Sequence, residues 1–173
     1  KAARAALGEI QVRGVAVTGS GRDLVAARFG ADLNVDEITA QGIGAVRLAP
    51  DADAVFEIGG QDSKFIRLSN GRAEDFEMNR ICAAGTGAFL VETARRLGVR
   101  PGAELSAAAF RSQRPVVVSR RCCVFAESDV VSRLNSGTPR EDVAAGVVYA
   151  VAKNYLTLVV GERDVGRKVL FLG

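Results

Sequence analysis

Apolar positions along this chain switch between two spacings, and glycines mark the switches. "VRGVAVTG" is a short β-branched run that meets a Gly-Ser-Gly corner, and "RDLVAARFG" after it predicts a helix closed by Gly30. "DADAVFEIGGQDSKFIRLSNGRAEDFEM" predicts two or three antiparallel strands, with turns at Gly59-Gly60 and Asn70-Gly71. "GTGAFLVETARRLG" sets Phe89, Leu90, Ala94 and Leu97 on one helical face and stops at Gly98. "CVFAESDVVSRLNSG" aligns Val124, Phe125, Ser128, Val131 and Leu134, with Asn135-Ser136-Gly137 as the stop. In "TPREDVAAGVVYAVAKNYLTLVV", Thr138, Pro139 and Glu141 predict a capping box ahead of a long buried helix. "KAARAALGEI" reads as the last turns of a helix and "RKVLFLG" as a strand stopping at glycine, so the sequence is expected to be cut from something larger. Strands mixed with helices around a central antiparallel hairpin predict an α/β or α+β domain.

Composition narrows the chemistry. The chain has 173 residues, 48% of them hydrophobic, and is long enough to bury a real core. Its net charge is +3, with basic residues scattered apart from the pairs Arg95/Arg96 and Arg120/Arg121, so no nucleic-acid track is expected. The most apolar window, Ala144 to Val160, contains Lys153 and Asn154 and falls short of the ~20 residues of a bilayer span, so no membrane association is expected either. No secretory signal or disulfide framework is apparent, and a reducing cytoplasm is the expected compartment. With no histidine in the chain, Ser-His-Asp and Cys-His nucleophiles and His-rich zinc sites are excluded. Carboxylates, thiolates, backbone amides and borrowed cofactors remain.

The three cysteines fall at two places. Cys82 precedes one predicted helix and Cys122 another, where unpaired amides and the helix dipole favour a thiolate. Thiolates suit soft metals, and an iron–sulfur cluster usually takes four. Cys123 adjoins Cys122 and can hardly reach the same cluster, so one chain offers two ligands and a symmetric pair of chains offers four. The competing reading is structural, because free cysteine is among the most buried residue types.

"EIGGQDSKFI", "MNRICAAGTGAFL" and "CVFAESDVV", in this order, resemble the ATP-dependent activators of 2-hydroxyacyl-CoA dehydratases and the related ATP-binding subunits of benzoyl-CoA reductase. The resemblance runs from about Val12 to Gly173. It implies an α/β fold of the actin-like, sugar-kinase and heat-shock-protein ATPase type (ribonuclease H-like), truncated at both ends. Residues 1–50 are then the remnant of a first subdomain, and residues 51–173 the second, with a phosphate loop and the cluster cysteines. It further implies a homodimer over one shared [4Fe-4S] cluster held by Cys82 and Cys122, with Cys123 a non-ligand.

By the same resemblance, the second phosphate loop falls on Gly59, Gly60, Gln61 and Asp62. Gln61 and Asp62 take the catalytic role through a water or a Mg²⁺ shell around ATP or ADP. Gly85, Thr86 and Gly87 shape the corner between cluster and cleft, Glu127 approaches the ribose, and Gly173 represents the adenine-binding glycines. The family's first phosphate loop would precede Lys1. Glu57 stands where relatives commonly have Asp, and Gln41 where they commonly have His. ATP hydrolysis would set the angle between the subdomains and drive a low-potential electron, taken from a ferredoxin or flavodoxin, into an acyl-CoA dehydratase or reductase. Arg120 and Arg121 either balance the cluster's charge or lie on the surface. Two alternatives stay open: a degenerate ATPase-fold interaction module of a larger fused activator, and a small-molecule kinase of the same superfamily. If the fragment holds one wall of the cleft, it is inactive alone.

Overall fold

The computed structural model describes residues 11–79, 85–120 and 122–173. The expected helix end in "KAARAALGEI", together with Cys82 and Arg121, lies outside them.

Strand β1 (Ala16–Val17), helix α1 (Arg22–Phe29) and strand β2 (Leu33–Asn34) form a small β-α-β unit whose two strands pair in parallel. Gly30 closes α1 in the left-handed region, as expected, and its N–H returns to Ala26. Helix α2 (Glu37–Leu48) has no counterpart in the sequence reading, although Asp36 caps it by accepting from Thr39 N at 2.9 Å.

Strands β3 (Ala54–Ile58), β4 (Ser63–Ser69) and β5 (Arg72–Met78) form the expected antiparallel meander, and β6 (Val169–Leu172) joins β3 in parallel to give the order β5-β4-β3-β6. Asn70 (φ 49°) and Gly71 (φ 73°) are both left-handed, the geometry that lets a two-residue turn follow the twist of its strands.

Alternate residues of β3 serve opposite faces of the sheet. Ala54 and Phe56 pack with Phe65, Tyr155, Val159 and Val160, whereas Val55 packs with Ile66, Leu68 and Ala45 of α2. Because both faces are covered, the run Ala54–Val55–Phe56 is apolar throughout rather than alternating.

A second core joins four helices: α3 (Gly87–Leu97), α4 (Ala103–Phe110), α5 (Cys123–Asn135) and α6 (Arg140–Tyr155). Helix α3 buries Phe89, Ala94 and Leu97 as its spacing predicts. Helix α5 is rotated from expectation. It buries Ala126 and Val130, which let it lie close to α6, while Val124 and Phe125 are each 66% exposed. The expected capping box of α6 does not form, because the cap position falls on Pro139, one residue beyond Thr138. Glu141 instead faces Arg111 at 3.7 Å, and Asp142 accepts from Ser112 Oγ and from the amides of Gln113 and Arg114.

Helix α6 continues through a π turn at Leu156–Val160. The continuous helix Arg140–Val160 therefore spans 21 residues and is long and apolar enough to cross a bilayer by length and composition, contrary to the shorter estimate from sequence. Here it is the central helix of the fold, with Val143, Val147, Val151 and Tyr155 buried in the two cores it joins.

Phe65→Ala should lower stability by about 3–5 kcal/mol, since Phe65 is fully buried between sheet and helix. Urea unfolding of the complete protein checks this, and an unmoved midpoint would mean that the sheet face is not packed as described.

Candidate functional site

The site begins where β3 ends. Residues 59–62 turn the chain from β3 into β4, and the register sets Glu57 directly across from Lys64. Lys64 is 1% exposed, and its Nζ lies 2.9 Å from Glu37 Oε1, 3.0 Å from Asp62 Oδ1 and 3.1 Å from Glu57 Oε2. Burial alone pulls the ammonium pKa down, but hydrogen bonds to Glu37, Asp62 and Glu57 outweigh it and hold the pKa well above the ordinary lysine range. Burial pushes the Glu57 carboxyl up, against the opposing hydrogen bond from Lys64. One ammonium thus faces three carboxylates, and the rim of the turn is left acidic.

Gly59 sits in a crowded place: a Cβ there would stand 2.6 Å from Glu57 Oε1 and 3.1 Å from the Asp62 carbonyl oxygen. Gly60 faces open space, with nothing within 4 Å of an added Cβ, and both Gly60 and Gln61 are exposed. A ligand can therefore approach the backbone here.

The structure brings this turn together with the Gly85–Thr86–Gly87 corner. Gly87 N donates to Gly59 O and Ala88 N to Gly60 O, each at 2.8 Å, so two otherwise orphaned amides at the start of α3 are satisfied by the turn. A Cβ on Gly87 would stand 3.0 Å from Gly59 O. Thr86 is fully buried and extended at the cap position. Gly173 (φ 143°) lies against the end of β3, where an added Cβ would overlap the Ile58 carbonyl oxygen. The turn and Gly173 thus share the carboxyl end of the parallel pair β3–β6, the end at which open α/β sheets bind ligands.

Glu127 sits apart from that group. It is ion-paired with Arg96 of α3 and lines a shallow groove along α5 with Val124, Ser128 and Ser132. Cys122 is the cap residue of α5 and is partly exposed. It borders a surface hollow of about 880 Å³ with Arg120, Phe125, Tyr149 and Lys153. Cys123, one residue on, packs against the helical core. The segment before Cys122 is tied down twice: Asn154 Nδ2 donates to the Arg120 carbonyl, and Ser119 N donates to Asp129 Oδ2 at 2.8 Å. On the other side, Asn79 pins the end of β5 through reciprocal bonds with Ser63, three residues before Cys82. Among the described residues no three Cys, Asp or Glu side chains converge on a metal position.

The sequence reading missed Lys64, Glu37 and Asn154. Lys64 stands inside an apolar strand, and its pairing with Glu57 follows only once the length of the turn fixes the register. Glu37 arrives on α2, which was not foreseen. Asn154 was visible as a polar residue in an apolar window, but its partners lie on other elements. Gln41, also on α2, holds its Oε1 buried without a hydrogen-bond partner among the described residues.

Compared with known proteins, the whole chain, residues 1–173, matches the sequence profile of the BadF/BadG/BcrA/BcrD ATPase family. It is 40% identical over 128 residues, 74% of this chain and 49% of the relative, to the (R)-2-hydroxyglutaryl-CoA dehydratase activating ATPase of Acidaminococcus fermentans. It is 35% identical over 153 residues, 87% of this chain and 52% of the relative, to a benzoyl-CoA reductase subunit of Thauera aromatica. Among solved structures, the activator of the 2-hydroxyisocaproyl-CoA dehydratase from Clostridium difficile with bound ADPNP superposes with a TM-score of 0.86 at 36% identity, covering 99% of this chain and 63% of that one. The chain therefore spans about half the length of the curated relatives it matches, and its α/β fold is that of the activator.

Lys64→Met should destabilise the complete protein by about 3–5 kcal/mol at pH 7, because it strands the Glu57 carboxylate in the interior. The sign with pH follows from the raised Glu57 pKa: a raised carboxyl is favoured in the folded state when protonated, so the penalty should shrink as pH falls from 7 towards its ordinary value of 4.5. Urea midpoints of both proteins at several pH values read this directly. A penalty that stays constant or grows at low pH would show that Glu57 is not the stranded charge.

Proposed function

We propose, since the chain belongs to the BadF/BadG/BcrA/BcrD ATPase family, that it forms one wall of the nucleotide cleft in an ATP-hydrolysing activator that delivers an electron to an acyl-CoA dehydratase or reductase. The observation that carries this reading is the joining of the exposed Gly59–Asp62 turn to the amino end of α3 at the carboxyl end of β3. The division at residue 50 belongs to the same reading, with residues 51–173 as the second lobe.

In this reading the backbone of Gly60 and Gln61 approaches the phosphates, and the side chains of Gln61 and Asp62 orient the attacking water. The acidic rim around Lys64 bears on the form of the substrate. Three carboxylates against one ammonium repel a bare polyphosphate and favour one that arrives with Mg²⁺. Lys64 holds Asp62 in place from below. Glu127, already engaged with Arg96, takes up a sugar hydroxyl only if that pair opens or shares its oxygens.

A [4Fe-4S] cluster would be held by Cys82 and Cys122 from each of two copies, and when bound it supplies a low-potential one-electron donor. The residues present fit that group. Cys122 caps a helix and is partly exposed, the neighbouring Val124 and Phe125 leave an apolar face for a second copy, and Cys123 turns to the core. Arg120 and Lys153 beside Cys122 bring positive charge to an anionic centre.

Anaerobic loading of the complete protein with iron and sulfide should give a brown dimer carrying about four iron atoms per two chains, and Cys122→Ala should lose most of that iron and its visible absorbance. A colourless monomer, or Cys122→Ala retaining full absorbance, would overturn the cluster assignment.

A further inference from the structure

Asn154 and Tyr155 are neighbours on α6 but grip different parts of the molecule. Asn154 Nδ2 donates to the Arg120 carbonyl, two residues before Cys122. Its Oδ1 fills the place where a side chain on Gly85 would begin, 2.5 Å from an added Cβ, three residues after Cys82. Tyr155 Oη donates to the Lys64 carbonyl at 2.8 Å, and its ring lies 5.3 Å from that of Phe56 on β3. Lys64 is the residue whose ammonium holds Asp62 and Glu57. Both side chains are nearly fully buried, Asn154 at 3% and Tyr155 at 2% exposure. A buried carboxamide is costly unless bonded, so its fixed partners hold it in one setting. Directly after the pair the helix switches to the π turn Leu156–Val160, an irregularity often found at functional positions.

We propose that Asn154 and Tyr155 form the joint through which a nucleotide at the Gly59–Asp62 turn resets the backbone at Arg120 and at Gly85, close in sequence to Cys122 and Cys82. The inference rests on the proposed nucleotide site and adds how that site is felt elsewhere. The backbone bonds from Gly87 and Ala88 to the turn already connect it to the Cys82 side. Helix α6 adds the Cys122 side. A phosphate with its cation changes the charge around Lys64, β4 adjusts at Lys64, and the Tyr155 hydroxyl follows its carbonyl. One residue away on the same rigid helix, Asn154 then moves the Arg120 carbonyl and the Gly85 backbone. Close-packed interiors pass on such small displacements rather than absorbing them.

The test is hydrogen exchange on the complete protein, with and without a non-hydrolysable ATP analogue and Mg²⁺, read at residues 117–123. The wild type should show an analogue-dependent change there. Tyr155→Phe should bind the analogue within about threefold of wild type yet cut the exchange change by at least about threefold. Asn154→Ser, which breaks the other half of the joint, should do the same and serves if Tyr155→Phe folds poorly. A full exchange response in both variants overturns the joint while leaving the nucleotide site standing. So does a wild type that binds the analogue without responding at 117–123. A wild type that does not bind the analogue overturns the nucleotide reading, and the joint with it.

Discussion

Two backbone hydrogen bonds hold the candidate site together: Gly87 N to Gly59 O and Ala88 N to Gly60 O. They turn the unsatisfied amides at the start of α3 towards the turn between β3 and β4, so that the first residues of α3 and the candidate phosphate loop become one piece of structure. Both sides of this contact are crowded, because a Cβ on Gly59 would meet the Glu57 carboxylate and one on Gly87 would press on Gly59 O. Beneath the turn, the buried Lys64 ammonium gathers carboxylates from α2, from β3 and from the turn itself. That ammonium fixes the position of Asp62 without occupying the open space in front of Gly60.

Helix α6 links this end to the rest. Its first half packs among α3, α4 and α5, and its last turns cover one face of the sheet, so a single element belongs to both cores. Two groups on its surface at the crossing, the Asn154 amide and the Tyr155 hydroxyl, are bonded to the backbone carbonyls of Arg120, in the connection before α5, and of Lys64 on β4. Polar groups buried at such a crossing fix the relative setting of sheet and helices more tightly than apolar contact does.

Much of this was legible in the sequence where local rules apply. The meander from residue 51 to 78, the Asn70-Gly71 hairpin, the stop of α3 at Gly98 and strand β6 all follow from spacing and from glycine chemistry. The candidate loop at Gly59–Asp62 and the corner at Gly85–Gly87 were named from sequence, and the structure sets them side by side. What was not legible depends on the third dimension. The exposed face of α5 reads as a core face because a helix that presents Val124 and Phe125 outward has the same periodicity as one that buries them. The failed capping box is a matter of one residue, since Pro139 takes the place expected of Thr138. Lys64 and Glu37 meet only because α2 and the sheet pack together, and no pattern within either segment announces it.

The central claim is that the turn at Gly59–Asp62 is a nucleotide site whose shape is set by its contact with α3. Calorimetric titration of a non-hydrolysable ATP analogue with Mg²⁺ into the complete protein and into Gly87→Ala tests it most directly. Alanine favours a helix over glycine, so helix propensity alone predicts an equal or better protein. The account predicts instead that the crowded Gly59 carbonyl is displaced and that affinity falls about tenfold, roughly 1.4 kcal/mol, with melting little changed. Equal affinities for the two proteins, or no binding to either, would contradict it.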